Sequence, residues 1–127
     1  MNTFHLREIA HARAGDKGDT CNIGVIAYAP EFYPILIEQV TVDRVREHFR
    51  GLVAGPITRY ELPNVDAINL VLERSLGGGV TRSLSLDPHG KSYSALILTM
   101  RVSVSDAIAL QLQRKGRVPL RDRSGTQ

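Results

Sequence analysis

At 127 residues the chain is long enough for one domain with one core and too short for two. Hydrophobic residues at 43% and charged residues at 23% match ordinary globular usage and exclude a disordered or fibrous protein. The net charge of +3 is unevenly placed, with Arg114, Lys115, Arg117, Arg121 and Arg123 against Asp122 near the C-terminus, so the basic excess describes a tail and not a face.

Residues 4–13 alternate imperfectly and predict one strand. Residues 14–22 hold two glycines, three charges and no large apolar side chain, and predict a turn or loop. Residues 23–28 are apolar and partly β-branched, as in a buried second strand. Pro30 and Pro34 interrupt the chain before a helical turn at residues 35–40. Residues 41–50 carry the full set of helix signals. Thr41 can cap the first turn, Asp43 and Arg50 sit at the favourable ends of the dipole, and Gly51 can take a left-handed exit. Val42, Val45 and Phe49 then form the buried stripe.

A third strand follows at residues 57–62, stopped by Pro63. Asn64 can cap a helix over residues 64–76, with a glycine run at 77–79 beyond its end; Ile68, Leu70 and Leu72 also alternate, so a strand fits as well, and a helix is the reading adopted. Residues 82–87 and 92–102 are β-rich and flank Pro88, His89, Gly90 and Lys91, which predicts a hairpin. Asp106 caps a short final helix, and residues 114–127 form a flexible basic tail, which leaves residues 1–113 as the domain. The expected fold class is an α+β sandwich. Helices pack on one face of an antiparallel or mixed sheet, and the other face is left for a partner.

Two segments can carry recognition chemistry. In Arg13-Ala14-Gly15-Asp16-Lys17-Gly18-Asp19-Thr20-Cys21-Asn22 the glycines permit positive φ, so backbone N–H groups can converge on an anion with Arg13 and Lys17 adding charge. The ending required of a nucleotide-binding Walker loop is missing. Asp16 and Asp19 oppose a phosphate; they suit a divalent cation, or simply their own loop's backbone. The second segment runs from Gly77 to Asp87, where three glycines allow close approach and Arg82 and Ser83 can grip a carboxylate or phosphate. A plain connector reads equally well there.

Other polar residues are weaker candidates. Asn69 is an amide in an apolar segment and must find partners, which makes it an orienting hydrogen bonder within reach of either glycine segment. His89 sits at a turn tip, where turn chemistry is the ordinary role. His5 and His11 lie too far apart along a strand to chelate one ion, and His48 faces water, so no metal site is expected. The single Cys21 excludes an internal disulfide and suits a reducing compartment, as a small buried residue at a strand start. Basic patches interleaved with aromatic platforms are missing, which argues against nucleic acid. Residues 1–13 lack an apolar signal core, and no apolar run approaches the ~20 residues of a membrane span, so a cytoplasmic protein without a membrane partner is expected.

The strings ARAGDKGDTCNIGVIAYAPE and RYELPNVDAINLVLERSLGGGVTRSLSLDPHGKS are similar to the C-terminal domain of the AtuA-like proteins, the acyclic terpene utilisation family of bacteria, over about residues 5–103. The resemblance implies a ferredoxin-like fold, found fused after a larger AtuA-like domain or as a separate small protein beside one. It also implies a role in catabolism of terpenoids and other branched acids through acyl-CoA intermediates. The family pattern falls on Arg13, Gly15, Asp16, Lys17, Gly18, Asp19, Asn22, Ile23 and Gly24, then on Asn69, and on Gly77, Gly78, Gly79, Arg82, Ser83, Leu84, Asp87, Gly90 and Lys91. Cys21 stands where a small residue such as alanine is expected.

The expected function is a small subunit or ligand-binding module that acts with a separately encoded larger AtuA-like protein, on a carboxylate or acyl-CoA, without a cofactor of its own and as a homo-oligomer. The alternative is a small stand-alone enzyme, with Asp16, Lys17, Asp19 and Arg82 around a carboxylated or CoA-linked substrate and His89 or an Asp as proton carrier. The expected ligand set is Arg13, Gly15, Asp16, Lys17, Gly18, Asp19, Asn22, Asn69, Gly78, Gly79, Arg82 and Ser83, which requires the two glycine segments to converge.

Overall fold

A computed structural model of the chain describes residues 2–75 and 91–120. In chain order the elements are β1 (Asn2–His5), β2 (Ala10–Lys17), β3 (Thr20–Ala27), α1 (Tyr33–Gln39), α2 (Val42–His48), β4 (Ile57–Leu62), β5 (Ala67–Leu72), α3 (Lys91–Ile97), β6 (Arg101–Val104) and α4 (Asp106–Arg114). Four strands form one sheet in the order β2-β3-β5-β4, and β1 pairs with β6 in a separate two-stranded ribbon. Every pairing is antiparallel.

Period-two burial sets the orientation of the larger sheet. Cys21, Ile23 and Val25 on β3, with Ile68, Leu70 and Leu72 on β5, are fully buried on one face. Helix α3 packs against β2 on that side, α1 against β3 and β5, and α2 against β4. Leu36, Val45, Phe49, Tyr93 and Ile97 bring the helical half of the core to it. Each fully buried Leu or Ile contributes about 1.5–3 kcal/mol, so this face holds the fold together. The opposite face carries no helix of the described residues in the contacts above.

Several expected elements take their expected form. Thr41 Oγ1 accepts the Arg44 N–H at 3.2 Å at the start of α2, and Gly51 makes the left-handed exit at φ +86°. Pro34 opens α1, where its missing N–H costs nothing. The last helix is capped one residue earlier than expected, because Ser105 and not Asp106 accepts the Ile108 N–H.

Four readings are corrected. Residues 4–13 are not one strand: a 3-10 turn at Leu6–Glu8 divides them, which lets Leu6 and Ile9, three apart, both enter the core. Residues 14–22 are not a loop but the paired ends of β2 and β3, closed by a two-residue turn at Gly18 and Asp19. Gly18 has φ +65° and Asp19 has no positive φ, the glycine-first pattern of a type II′ hairpin turn. Residues 64–76 hold β5 and not a helix. The Pro63 and Asn64 signal belongs to a 3-10 turn at Pro63–Val65, closed by Asp66 at φ +54°, and β5 is the central strand between β3 and β4. Residues 92–102 are not the second arm of a hairpin, since α3 and β6 divide them and Tyr93, Ile97 and Met100 are buried at helical spacing. The other arm, residues 82–87, lies outside the described residues.

Helix α4 extends to Arg114, and the chain then runs back along the domain. Leu120 N–H donates to the Thr3 carbonyl at 2.6 Å. Arg117 bonds Glu8 at 3.3 Å and lies 5.7 Å from the ring centre of Tyr28. Among the described residues, no helix is long and apolar enough to cross a membrane.

Candidate functional site

Strand register decides which candidate residues meet. Arg13 is opposite Gly24, Gly24 is opposite Asn69, and Asn69 is opposite Tyr60, so these four form a row across all four strands. The next row toward the hairpin turn is Gly15, Asn22, Val71 and Thr58, followed by Lys17 opposite Thr20. All have the parity opposite to the buried residues and therefore stand on the face away from α1, α2 and α3.

At Gly15 and Gly24 this face is bare backbone. A Cβ on Gly15 would meet nothing within 4 Å, and one on Gly24 would touch only Ile26 Cδ1 at 4.0 Å. Beside it a depression of about 460 Å³ is lined by Gly15, Asp16, Lys17, Thr20, Asn22 and Val71. That volume falls in the range of small-molecule sites. Arg13 and Lys17 form no ion pair with any described residue. The described strand positions of this face include no Asp or Glu, so two cations and two amides, Asn22 and Asn69, overlook the glycine floor, and Asp16, which lines the depression, is the carboxylate beside them.

Five of the expected residues thus come together here: Arg13, Gly15, Lys17, Asn22 and Asn69. Three have other roles. Gly18 makes the turn. Asp16 is opposite buried Cys21 and so has the other parity, although it borders the depression, and Asp19 sits in the turn, where its carbonyl accepts from Ser75. The expected cradle of N–H groups does not form, because the segment's backbone is spent in the β2–β3 ladder. Gly78, Gly79, Arg82, Ser83 and His89 lie outside the described residues. Thr58, Tyr60 and Val71 were missed; with residues 67–72 read as a strand, the position of Asn69 between Ile68 and Leu70 would have indicated this face.

The hairpin turn is anchored from beneath. Ser75 donates its N–H to Asp19 O at 2.8 Å and its hydroxyl to the same oxygen at 3.3 Å. Tyr93 donates its hydroxyl to the carbonyls of Ser75 and of Leu52. Burial, and then the nearby Cys21, push the Tyr93 phenol up to about 12, so it stays a donor at any physiological pH.

A second hollow of about 270 Å³ between α2 and β6 is lined by Arg44, Glu47, His48, Thr99, Met100 and Arg101. Several of its polar groups are already used. Arg44 donates to the carbonyls of Gln39 and Arg101, and His48 Nε2 lies 2.8 Å from Leu96 O. Among the described residues no cluster of His, Cys, Asp and Glu could hold a metal ion.

The model of the AtuA ferredoxin-like domain matches residues 4–103, which takes in both glycine segments and every strand of the larger sheet. The chain belongs to this family. Its α+β arrangement, with antiparallel strands and helices on one face, is the ferredoxin-like fold of the AtuA domain. No curated protein and no solved structure matches the chain.

Proposed function

We propose that this AtuA ferredoxin-like domain is a ligand-binding small subunit, which holds a carboxylate or acyl-CoA on its open sheet face and works beside a larger AtuA-like protein in terpenoid or branched-acid catabolism. The observation that carries this reading is the pairing of a side-chain-free floor at Gly15 and Gly24 with cations at Arg13 and Lys17 that form no ion pair among the described residues. A flat group can lie against the floor, Asn22 and Asn69 can hydrogen-bond its polar edge, and the two cations can take its carboxylate or phosphate.

The face supports binding more than catalysis. Its one imidazole among the described residues, His11, is stacked on Tyr28 with ring centres 5.3 Å apart, and Cys21 is buried on the other side of the sheet. The partner enters from the family resemblance. Affinity capture with this chain as bait, from cells grown on a branched acid, should recover a larger AtuA-like protein. Calorimetric titration of the isolated chain with coenzyme A and with short carboxylates should give saturable heat for at least one. Failure of both measurements removes the reading.

A further inference from the structure

Among the described residues the larger sheet has two edge strands, β2 and β4. Helix α3 packs against β2 and α2 against β4 on the buried face, and on its other face β4 carries exposed apolar side chains, with Tyr60 54% and Leu62 43% accessible. The backbone parity of β4 follows from its neighbours. Glu73 N–H donates to Pro56 O and Ala27 N–H to Asp66 O, and with the β3–β5 and β4–β5 registers this assigns the backbone groups of Thr58, Tyr60 and Leu62 to β5. Ile57, Arg59 and Glu61 therefore point their N–H and C=O groups outward, and no described hydrogen bond uses them. Such an edge is a template for another strand.

The charge pattern indicates which strand fits. Arg59 and Glu61 share one side of β4 and pair with each other at 2.9 Å. An antiparallel copy of β4 must place outward-pointing residues opposite one another, which leaves few registers. Centred on Arg59 it sets Arg59 against Arg59, and centred on Glu61 it sets Glu61 against Glu61; like charges directly opposite are unfavourable. Centred on Tyr60 it sets Arg59 against Glu61 of the second copy and Glu61 against Arg59 of the second copy. On the other side Tyr60 then meets Tyr60 and Thr58 meets Leu62.

We propose that the protein forms a two-fold dimer by antiparallel pairing of β4 with β4 of a second copy, with the axis at Tyr60, giving a continuous eight-stranded sheet. The interface is self-complementary, as a two-fold contact requires. It is also small, so the dimer is a reversible one that grows with concentration. The row of Arg13, Gly24, Asn69 and Tyr60 continues through the axis into its own copy, which makes one trough of the two open faces. The dimer rests on the β4 edge alone and stands or falls independently of ligand binding.

Sedimentation of the full chain over a concentration series, without ligand, should show a monomer–dimer equilibrium. Glu61→Lys sets Arg59 against a lysine twice per dimer and should weaken association about tenfold or more, with circular dichroism unchanged because Glu61 is exposed. Tyr60→Cys should give a covalent dimer on mild oxidation, since residues facing each other at the axis are close enough for a disulfide, whereas Thr58→Cys should not. A monomer at every concentration, equal association of Glu61→Lys and the unchanged chain, or cross-linking at 58 as ready as at 60 overturns the proposal.

Discussion

The backbone N–H of Ser75 donates to the carbonyl of Asp19 at 2.8 Å, which ties the stretch after β5 to the turn of the β2–β3 hairpin. Tyr93 holds Ser75 from the helical side through its hydroxyl, so the hairpin that carries Lys17 is braced by a buried polar chain and does not stand free. Tyr93→Phe leaves the Ser75 and Leu52 carbonyls without this donor in the core, and should cost about 1–3 kcal/mol. Urea unfolding of the two proteins measures this. A loss near zero would mean that the phenol contributes packing only.

Gly24→Val separates site from fold. The new side chain enters open space, with only Ile26 Cδ1 at 4.0 Å from its Cβ, and a β-branched residue suits a strand better than glycine. Stability should be unchanged or raised by up to about 1 kcal/mol, while the methyl groups obstruct the floor between Arg13 and Asn69 and weaken ligand binding. Thermal unfolding and calorimetry on the same sample test both halves.

The mismatch between sequence and fold is concentrated at that floor. The helix at 42–48 was legible because cap, dipole charges and exit glycine agree over a short span. The β2–β3 hairpin was not, because an open sheet face admits Gly15, Lys17, Asn22 and Gly24 in place of the β-branched residues that mark a strand. Asn69 misled in the same way: with Pro63 and Asn64 ahead of it, residues 67–72 satisfy a helix start signal as well as a two-residue period, and only the need for a central strand between β3 and β4 decides. The α3 segment begins Lys91-Ser92-Tyr93-Ser94, polar and aromatic like a strand, and its buried spacing of four and three emerges only through Ile97 and Met100. The polar residues of the open face were easier to single out than their arrangement, since Arg13, Lys17, Asn22 and Asn69 stand out as polar groups whatever element carries them.

Gly55 is required by close approach and not by conformation. Its N–H donates to Glu73 O at 2.9 Å, and a Cβ there would lie 2.5 Å from that oxygen. Arg46 also donates to the Gly55 carbonyl at 3.0 Å, so the backbone cannot move aside without losing that contact. Gly55→Ala should destabilise the fold by about 1–3 kcal/mol, read as a lower midpoint in chemical unfolding. An unaffected midpoint would show that the β4–β5 end relaxes freely.

Acid sensitivity should come partly from His5. Burial, followed by the positive charges of Arg7 and Arg101, holds its imidazole below the ordinary 6.5, with Glu8 opposing. Because the folded state binds this proton less readily than the unfolded chain, the stability it contributes is present above pH 6.5 and is lost as pH falls through the lowered value. His5→Gln should therefore flatten the decline in unfolding midpoint between neutral and mildly acidic pH. An identical decline in the variant would assign the effect to other groups.

The claim that the open sheet face binds an anion is tested most directly by titrating the purified chain with coenzyme A and short carboxylates, alongside an Arg13→Ala, Lys17→Ala double variant. Both side chains are exposed and unpaired among the described residues, so the variant should unfold at nearly the same temperature. The account predicts saturable binding to the unchanged protein and at least about a tenfold loss in the variant, as expected when charge-assisted hydrogen bonds are removed. Equal affinity in the two proteins, or no binding by either, would contradict it.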